Sequence, residues 1–378
     1  MNIHAVKIAF LIITLSLILN SVKVDYAHAV IIEPFKIPEQ GELSENAEKD
    51  IPRLEWVAGR NLQKGRFLKT IEICQNILEF NQDNLKAKAY LAAAYKGIGD
   101  EKKFQVSFDA LKKQHPDSAD IYLGVVWTCS ALGNLKNAES ICKQGIKTSS
   151  KPQALMMELA ELFLKQGRVD DAKVQYIRVL DIKNLSTKIF LNANFTLCRI
   201  GLDQKRYDEV IKRGEMLIKL YPPLPQSYKF LSDAYIGKKE YEKAVEVYQK
   251  LTKANPESET SFQEIALIYN DLIKDSKNAI LYAQKGMEKF PENPKTMDIY
   301  GWVLYSNQEY LKALKQFKAA IKISENNPWF YYHAGMAHQK LEDKSNAVKN
   351  YQKALELLKN RSAKDFKNQI EKLIAQCQ

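Results

Sequence analysis

An internal repeat of about 34 residues restricts the fold of this chain more than any other feature of its sequence. In its clearest copy, Leu231, Ser232 and Tyr235 are followed by Ala244 and Tyr248. Spacings of three, four and seven residues place such sets on one face of a helix. The copy ends near a proline, which cannot continue a helix. Each copy is therefore predicted to be helical and to end near its proline.

The pattern resembles the tetratricopeptide repeat (TPR), in which small residues at positions 8 and 20 and large residues at positions 4, 7, 11 and 24 pack two antiparallel helices together. Nine copies match it over residues 51–361, at intervals of 32 to 38 residues. They begin at Ile51, Leu85, Asp117, Gln153, Leu191, Pro225, Glu259, Pro294 and Pro328. We interpret the third copy as having two extra residues in its turn. The resemblance implies an all-α fold, a right-handed α–α superhelix of about nine helix-turn-helix repeats.

The segments outside the repeats predict export and capping. Residues 1–29 contain a short apolar run and end in the sequence Ala-His-Ala, which is typical of a secretory signal peptide. The run is shorter than the ~20 residues of a membrane span, and an uncleaved N-terminal anchor is left open. Residues 30–50 are expected to form an extended linker, and residues 362–378 an amphipathic helix that caps the array. The expected location is the periplasm or another extracytoplasmic lumen, with no membrane span after cleavage.

No motif in the sequence indicates catalysis or a cofactor. The segments beside the repeats are too short for a catalytic domain, because domains begin near ~50 residues. His333 and His338 are five residues apart, whereas two metal ligands on one helix face need a spacing of four. We therefore expect no enzymatic activity, no metal and no cofactor, and a redox or cofactor protein is the least favoured alternative.

The chain has five cysteines, which cannot all pair within one molecule. Cys74, Cys142 and Cys198 fall at packing positions of the repeat, where cysteine behaves as a small apolar residue. A disulfide between Cys129 and Cys142 is left open. Cys377 is expected to be an exposed free thiol or an intermolecular link.

The formal net charge is +11, and basic residues occur as short pairs spread along the chain. This distribution is typical of solvated helix faces and does not favour nucleic acid as a partner. The positive charge favours acidic protein partners and a salt-dependent rate of association. Self-association is left open.

In the TPR family, the first helix of each repeat lines a concave face, mainly through positions 2, 5, 9, 12 and 13. Mapped onto this chain, the middle repeats place Ile121 and Val125 on that face. The predicted partner-binding residues of these repeats are Met157, Leu164, Phe195, Arg199 and Leu202. Those of the last two repeats are Trp302, Tyr305, Trp329, Tyr332 and Met336. Exposed aromatic residues of this kind often dominate protein interfaces, and burial by neighbouring helices is the alternative.

These features predict a non-enzymatic exported scaffold or adaptor that binds protein or peptide segments through its concave face. Such a scaffold would organise a multiprotein assembly, for example a periplasmic enzyme complex. An envelope polysaccharide-binding or export accessory protein is the alternative, because exposed aromatic rings can also stack on sugars.

Overall fold

The computed structural model describes residues 47–359 and 363–377. Nineteen α-helices and one π-helical segment form the regular structure of these residues, and no strand occurs among them. The predicted all-α fold of paired helices is therefore confirmed. The predicted leader, residues 1–29, and most of the predicted linker, residues 30–50, lie outside the described residues.

The chain divides into two compact units. The N-terminal unit extends to Ile200, and the C-terminal unit begins at Gly201, within helix α9. The helices up to this boundary are α1 (Ala47–Gln63), α2 (Phe67–Phe80), α3 (Leu85–Gly97), α4 (Glu101–Gln114), α5 (Ala119–Ala131), α6 (Leu135–Thr148), α7 (Gln153–Lys165), α8 (Val169–Leu180) and α9 (Thr187–Asp203).

The C-terminal unit continues as consecutive helices joined by short connections. Its helices are α10 (Tyr207–Leu220), α11 (Pro225–Gly237), α12 (Tyr241–Ala254), α13 (Glu259–Leu267), which runs into the π-helical segment (Ile268–Ile273), α14 (Ser276–Lys289), α15 (Pro294–Ser306), α16 (Tyr310–Ile323), α17 (Pro328–Lys340), α18 (Lys344–Leu357) and α19 (Lys364–Cys377). Odd-numbered helices from α1 to α17 are the first, or A, helices of the nine pairs. Even-numbered helices are the second, or B, helices.

Aromatic rings of the B helices pack against small residues of the A helices. A Cβ atom at Gly301 would lie 2.6 Å from the ring of Phe317, and a Cβ atom at Gly335 would lie 2.7 Å from the ring of Tyr351. Phe317 and Tyr351 are fully buried. These contacts join positions 8 and 24 of the repeat, so the sequence pattern corresponds directly to close packing within each pair.

The turn between the A and B helices contains one residue with positive φ in every pair. In the N-terminal unit this residue is always glycine: Gly65, Gly99, Gly133 and Gly167. In the C-terminal unit it always carries a side chain: Lys205, Lys239, Lys274, Gln308 and Glu342. A side chain in the left-handed region costs about 1–2 kcal/mol. The two units therefore build the same turn with different amounts of backbone strain.

The turn glycines correct the predicted register of repeat three. They recur every 34 residues through the N-terminal unit, and α5 begins at Ala119 rather than at Asp117. The third repeat therefore has the ordinary length, and the prediction of two extra residues in its turn is wrong. The corrected register moves Trp127 to position 9 of its repeat, a lining position that the sequence analysis did not assign to it.

Repeat seven is one residue longer than the ordinary period, and its A helix absorbs the extra residue. The chain leaves α-helical geometry at Ile268–Ile273, and Lys274 ends this π-helical segment in the left-handed conformation. A π bulge accommodates an inserted residue without ending the helix. Asn270 lies in the segment, and its Nδ2 atom donates a hydrogen bond to Ser306 Oγ on α15 at 3.0 Å. The segment is thereby fixed to the next A helix.

Helix α19 covers the end of the C-terminal unit. Its residues Phe366 and Ile370 are buried and pack with residues of α17 and α18. The Phe366 ring stacks on Trp329 with the ring centroids 4.0 Å apart. The helix thus contacts both members of the last pair, as a further A helix would.

Candidate functional site

The A helices of the C-terminal unit bring aromatic and acidic side chains together. Trp302 and Tyr305 on α15 are half-buried, and their rings stack with centroids 5.5 Å apart and planes 12° apart. Burial raises the pKa of Tyr305 to about 12. Asp271, from the π-helical segment, lies against Trp302. We call Asp271, Trp302 and Tyr305 the acid–aromatic site.

Asp271 is held through one of its two carboxylate oxygens. Asn270 Nδ2 donates to Oδ1 at 2.7 Å, and Trp302 Nε1 donates to the same atom at 3.2 Å. No described residue donates a hydrogen bond to Oδ2. Burial raises the pKa of the Asp271 carboxyl, because loss of water disfavours its charged form. The site therefore contains a desolvated acceptor with one oxygen still available.

A histidine–aspartate pair packs against the acid–aromatic site. His333 Nδ1 on α17 lies 2.8 Å from Asp298 Oδ1 on α15, and Asp298 is 7% exposed. Four rings have centroids 5.3 to 6.4 Å from the His333 ring: Trp302, Phe317, Trp329 and Tyr332. The pair joins two neighbouring A helices and fixes the position of Trp302. Sequence reasoning favoured a core or rim role for His333 and His338 over metal binding, but it did not pair His333 with Asp298.

The cap helix changes the expected role of Tyr332. This side chain is 2% exposed, so its predicted exposure on the lining is wrong. Gln369 Nε2 donates to its hydroxyl at 2.8 Å, and its ring meets Phe366 edge-on at 5.0 Å. Trp329 and Met336 are half-buried and pack against the same cluster. Tyr332 is therefore a core residue, because α19 covers position 5 of the last repeat.

The N-terminal unit contains a counterpart of Trp302. Trp127 on α5 is half-buried, and its Nε1 atom donates to Glu158 Oε2 on α7 at 2.8 Å. The Tyr90 ring lies 5.6 Å from the Trp127 ring. A Cβ atom at Gly59 on α1 would lie 3.2 Å from Trp127 Cζ3, so α1 reaches the indole through a glycine. Burial raises the pKa of Glu158.

The A helices of the N-terminal unit approach each other through small residues. A Cβ atom at Gly124 on α5 would lie 3.0 Å from Ala93 Cβ and 3.3 Å from the Ala89 carbonyl oxygen on α3. Ile121 and Val125 are each 1% exposed, so their predicted place on an open face is wrong. In the corrected register they occupy positions 3 and 7, which are not lining positions, and they therefore belong to the core.

The remaining predicted partner-binding residues are half-buried. Met157 and Leu164 on α7 pack against the core of the N-terminal unit. Phe195 and Arg199 lie on the part of α9 that belongs to this unit, and Leu202 lies on the part that belongs to the C-terminal unit. Their binding role stays a prediction.

All five cysteines are buried and free in the structure. Cys129 and Cys142 are not bonded to each other; Cys142 Sγ donates to the Leu155 carbonyl at 3.1 Å. The predicted exposure of Cys377 is wrong, since it is 5% exposed within the α19 contact. Desolvation raises the pKa of Cys74 to about 12, which keeps its thiol unreactive at neutral pH.

Two further observations concern metals and membranes. Within residues 47–359 and 363–377, no group of three or more His, Cys, Asp or Glu side chains is arranged to hold a metal ion. In the same part of the chain, no helix combines the length and apolar character that a membrane crossing requires.

Solved structures of repeat proteins are similar to this chain over long stretches. A tetratricopeptide repeat protein from Parabacteroides merdae is 14% identical, with 68% of this chain and 98% of that one covered and a TM-score of 0.49. A TPR-containing protein from Cytophaga hutchinsonii is 16% identical, covering 72% and 96%, with a TM-score of 0.46. Yeast Tom70 is 13% identical, covering 88% and 96%, with a TM-score of 0.36. A search of curated protein sequences gave no significant match.

The sequence itself matches models of the repeat. A family model described as TPR repeat matches residues 301–342, and one described as tetratricopeptide repeat matches residues 225–258 and 330–359. These segments contain α11, α12, α16, α17, α18 and the last part of α15, and their small and aromatic residues pack as the repeat requires. Residues 225–258 and 301–359 of this chain are therefore tetratricopeptide repeats.

Proposed function

We propose that this protein is a non-catalytic scaffold that binds segments of other proteins on the A helices of its C-terminal unit. The acid–aromatic site is the observation that carries the proposal. It presents two half-buried rings and a carboxylate oxygen that accepts no hydrogen bond from the described residues. Rigid rings bury a large area at little entropic cost and are typical anchors of protein interfaces. Proteins built from TPR repeats are generally adaptors, which agrees with this reading.

A capture experiment tests the proposal. The purified mature protein is used to capture partners from the native envelope fraction, followed by mass spectrometry. Trp302→Ala combined with Tyr305→Ala should abolish capture while leaving the helical circular dichroism intact. Trp56→Ala is the matched control, because Trp56 is an aromatic residue of the N-terminal unit that is 52% exposed. A double variant that folds and still captures the same proteins would place the binding face elsewhere.

The proposed location is the periplasm or an equivalent lumen, where the scaffold would organise a multiprotein assembly. The support is the sequence of residues 1–29, with its apolar run and small residues before the expected cleavage site. N-terminal sequencing of protein from the periplasmic fraction should find Val30 as the first residue. A chain that retains Met1 and sediments with membranes would instead indicate an anchor.

The parallel rings of Trp302 and Tyr305 also favour one alternative, the binding of an envelope polysaccharide. Their planes differ by 12°, a geometry on which a sugar ring can stack. Co-sedimentation with the polysaccharide fraction, carried out with the wild type and the same variants, distinguishes the two. Binding of polysaccharide that depends on both rings, without any captured protein, would support the alternative.

A further inference from the structure

We propose that the acid–aromatic site receives a lysine or arginine side chain from the bound segment, so that the partner segment is basic. This inference rests on the proposed function and specifies the chemistry of the same site. It is opposite to the expectation from net charge, which favours an acidic partner.

The first argument is the unsatisfied carboxylate. Both hydrogen bonds to Asp271 reach Oδ1, and within the described residues no lysine or arginine nitrogen lies within 4 Å of the carboxylate. Lys274 and His333 act on it only at longer range. A carboxylate that is partly removed from water and has no close cation is poorly stabilised. A cation supplied by a partner would therefore interact more strongly here than at an exposed carboxylate.

The second argument is the charge of the surrounding lining. Acidic residues occupy lining positions on three successive A helices of the C-terminal unit: Asp233 on α11, Asp271 on the π-helical extension of α13, and Asp298 on α15. Lys229 pairs with Asp233 at 3.3 Å, and His333 pairs with Asp298. Among these three carboxylates, Asp271 is the one that forms no ion pair with a described residue, in a chain whose formal charge is +11. Its negative charge is complementary to a basic segment.

The third argument is the neighbourhood of the free oxygen. Trp302 binds Asp271 through its indole N–H, and Tyr305 stacks on Trp302. A guanidinium group can donate to a carboxylate and lie against an aromatic ring at the same time, because it is planar and carries several N–H donors. An acidic side chain would meet a carboxylate of the same sign here. The combination therefore favours a cation over a neutral or acidic side chain.

Two short fluorescein-labelled peptides test the inference by fluorescence anisotropy. One alternates arginine with alanine, and the other alternates glutamate with alanine. We expect the arginine peptide to bind the wild type and the glutamate peptide to bind much more weakly. Asp271→Asn should weaken binding of the arginine peptide about tenfold. This variant retains an oxygen that can accept the Trp302 hydrogen bond, so folding is preserved.

Glu158→Gln is the matched control, because it removes the carboxylate that binds Trp127 in the N-terminal unit. It should leave binding of the arginine peptide unchanged. Tighter binding of the glutamate peptide, or equal binding by Asp271→Asn and the wild type, would overturn the inference. If capture of native partners needs Trp302 and Tyr305 but not the Asp271 charge, the proposed function stands and the basic-segment proposal fails. If capture needs none of the three residues, the proposed function fails.

Discussion

The two units place a tryptophan at the same repeat position in different surroundings. Trp127 and Trp302 both occupy position 9 of an A helix, and each indole N–H donates to a carboxylate, Glu158 or Asp271. In the N-terminal unit, Gly59 allows α1 to pack directly against the indole. In the C-terminal unit, the indole lies between other aromatic rings beside a carboxylate that has a free oxygen.

The difference arises from residue size at equivalent positions. Position 9 of the first two repeats is Gly59 and Ala93, whereas position 9 of repeats six and seven is Asp233 and Leu267. Small residues let neighbouring A helices approach until their lining becomes core, and larger residues prevent that approach. A repeat position therefore determines which face of the helix a residue lies on. The size of the residues in the adjacent repeats determines whether a neighbouring A helix packs against that face.

The largest expected effect concerns position 5. Tyr332 is buried beneath the cap helix, and Met157 at the same position of repeat four is half-buried. Tyr332→Ala should lower the free energy of unfolding by about 3–5 kcal/mol because it leaves a cavity in the core. Met157→Ala should cost about 1 kcal/mol. Urea denaturation followed by circular dichroism measures both, and similar losses would contradict the contrast in burial.

A larger residue at Gly59 should break the contact between α1 and Trp127. Gly59→Leu introduces the residue found at Leu267 and should cost about 2 kcal/mol through overpacking. Gly59→Ala should cost less, since its Cβ would lie 3.2 Å from the Trp127 ring and small shifts can relieve the contact. Near-ultraviolet circular dichroism should report the displaced indole. A Leu variant as stable as the wild type would show that α1 does not depend on this approach.

The turns provide a pair of changes with opposite signs. Gly133→Lys places a side chain at positive φ, at a cost of about 1–2 kcal/mol, and removes the extra conformational entropy of glycine, about 0.5–1 kcal/mol, so it should destabilise the protein by about 0.5 kcal/mol. Lys239→Gly removes such strain, while glycine loses more conformational entropy on folding, by about 0.5–1 kcal/mol. A net gain of about 0.5 kcal/mol is expected from these two terms. Thermal unfolding of both variants gives the measurement, and two changes of the same sign would refute the strain argument.

The smallest expected effect is a pH dependence shared by the two tryptophan–carboxylate pairs. Burial raises the pKa of Glu158 and Asp271, so both carboxyls bind a proton more tightly in the folded than in the unfolded chain. Their ionisation therefore destabilises the folded state above the raised pKa, and this cost disappears below the ordinary carboxyl pKa. Glu158→Gln and Asp271→Asn should slightly increase stability at pH 7, and this gain should vanish in acid.

Asp275 is a control of opposite sign. Hydrogen bonds from the α14 backbone at Asn278 lower its pKa, so its ionisation stabilises the folded state above the ordinary carboxyl pKa. Asp275→Asn should lose stability at neutral pH, and the loss should shrink as the pH falls through the Asp275 pKa. The free energy of unfolding of the three variants is measured by urea denaturation as a function of pH. Equal pH profiles would show that burial does not control the raised pKa values of Glu158 and Asp271.

Repeat spacing predicted the all-α fold from the sequence because residues that pack within a pair are close in the chain. The register of repeat three was lost because its start was aligned on Asp117. The turn glycines, such as Gly99 and Gly133, would have fixed it, since their positive φ is required by the turn geometry. That signal would also have placed Trp127 on the lining.

The details of the site depend on contacts between repeats, which the period alone does not determine. Tyr332 has a lining position, but its burial depends on how Phe366 packs from beyond the last repeat. The length of repeat seven reveals one extra residue, yet the sequence does not show that the helix bulges at Ile268–Ile273 instead of lengthening a turn. The hydrogen bond between Trp302 and Asp271 therefore could not be anticipated.

The π-helical segment also has a genetic consequence. The segment accommodates one extra residue, so deletion of a single codon within Ile268–Ile273 would return it to an α-helix and change the direction of the side chains within it. Asp271 would leave Trp302 even though no residue of the acid–aromatic site had been substituted. The carboxylate beside the tryptophan thus depends on the one extra residue of repeat seven, and its loss would leave every helix pair in place.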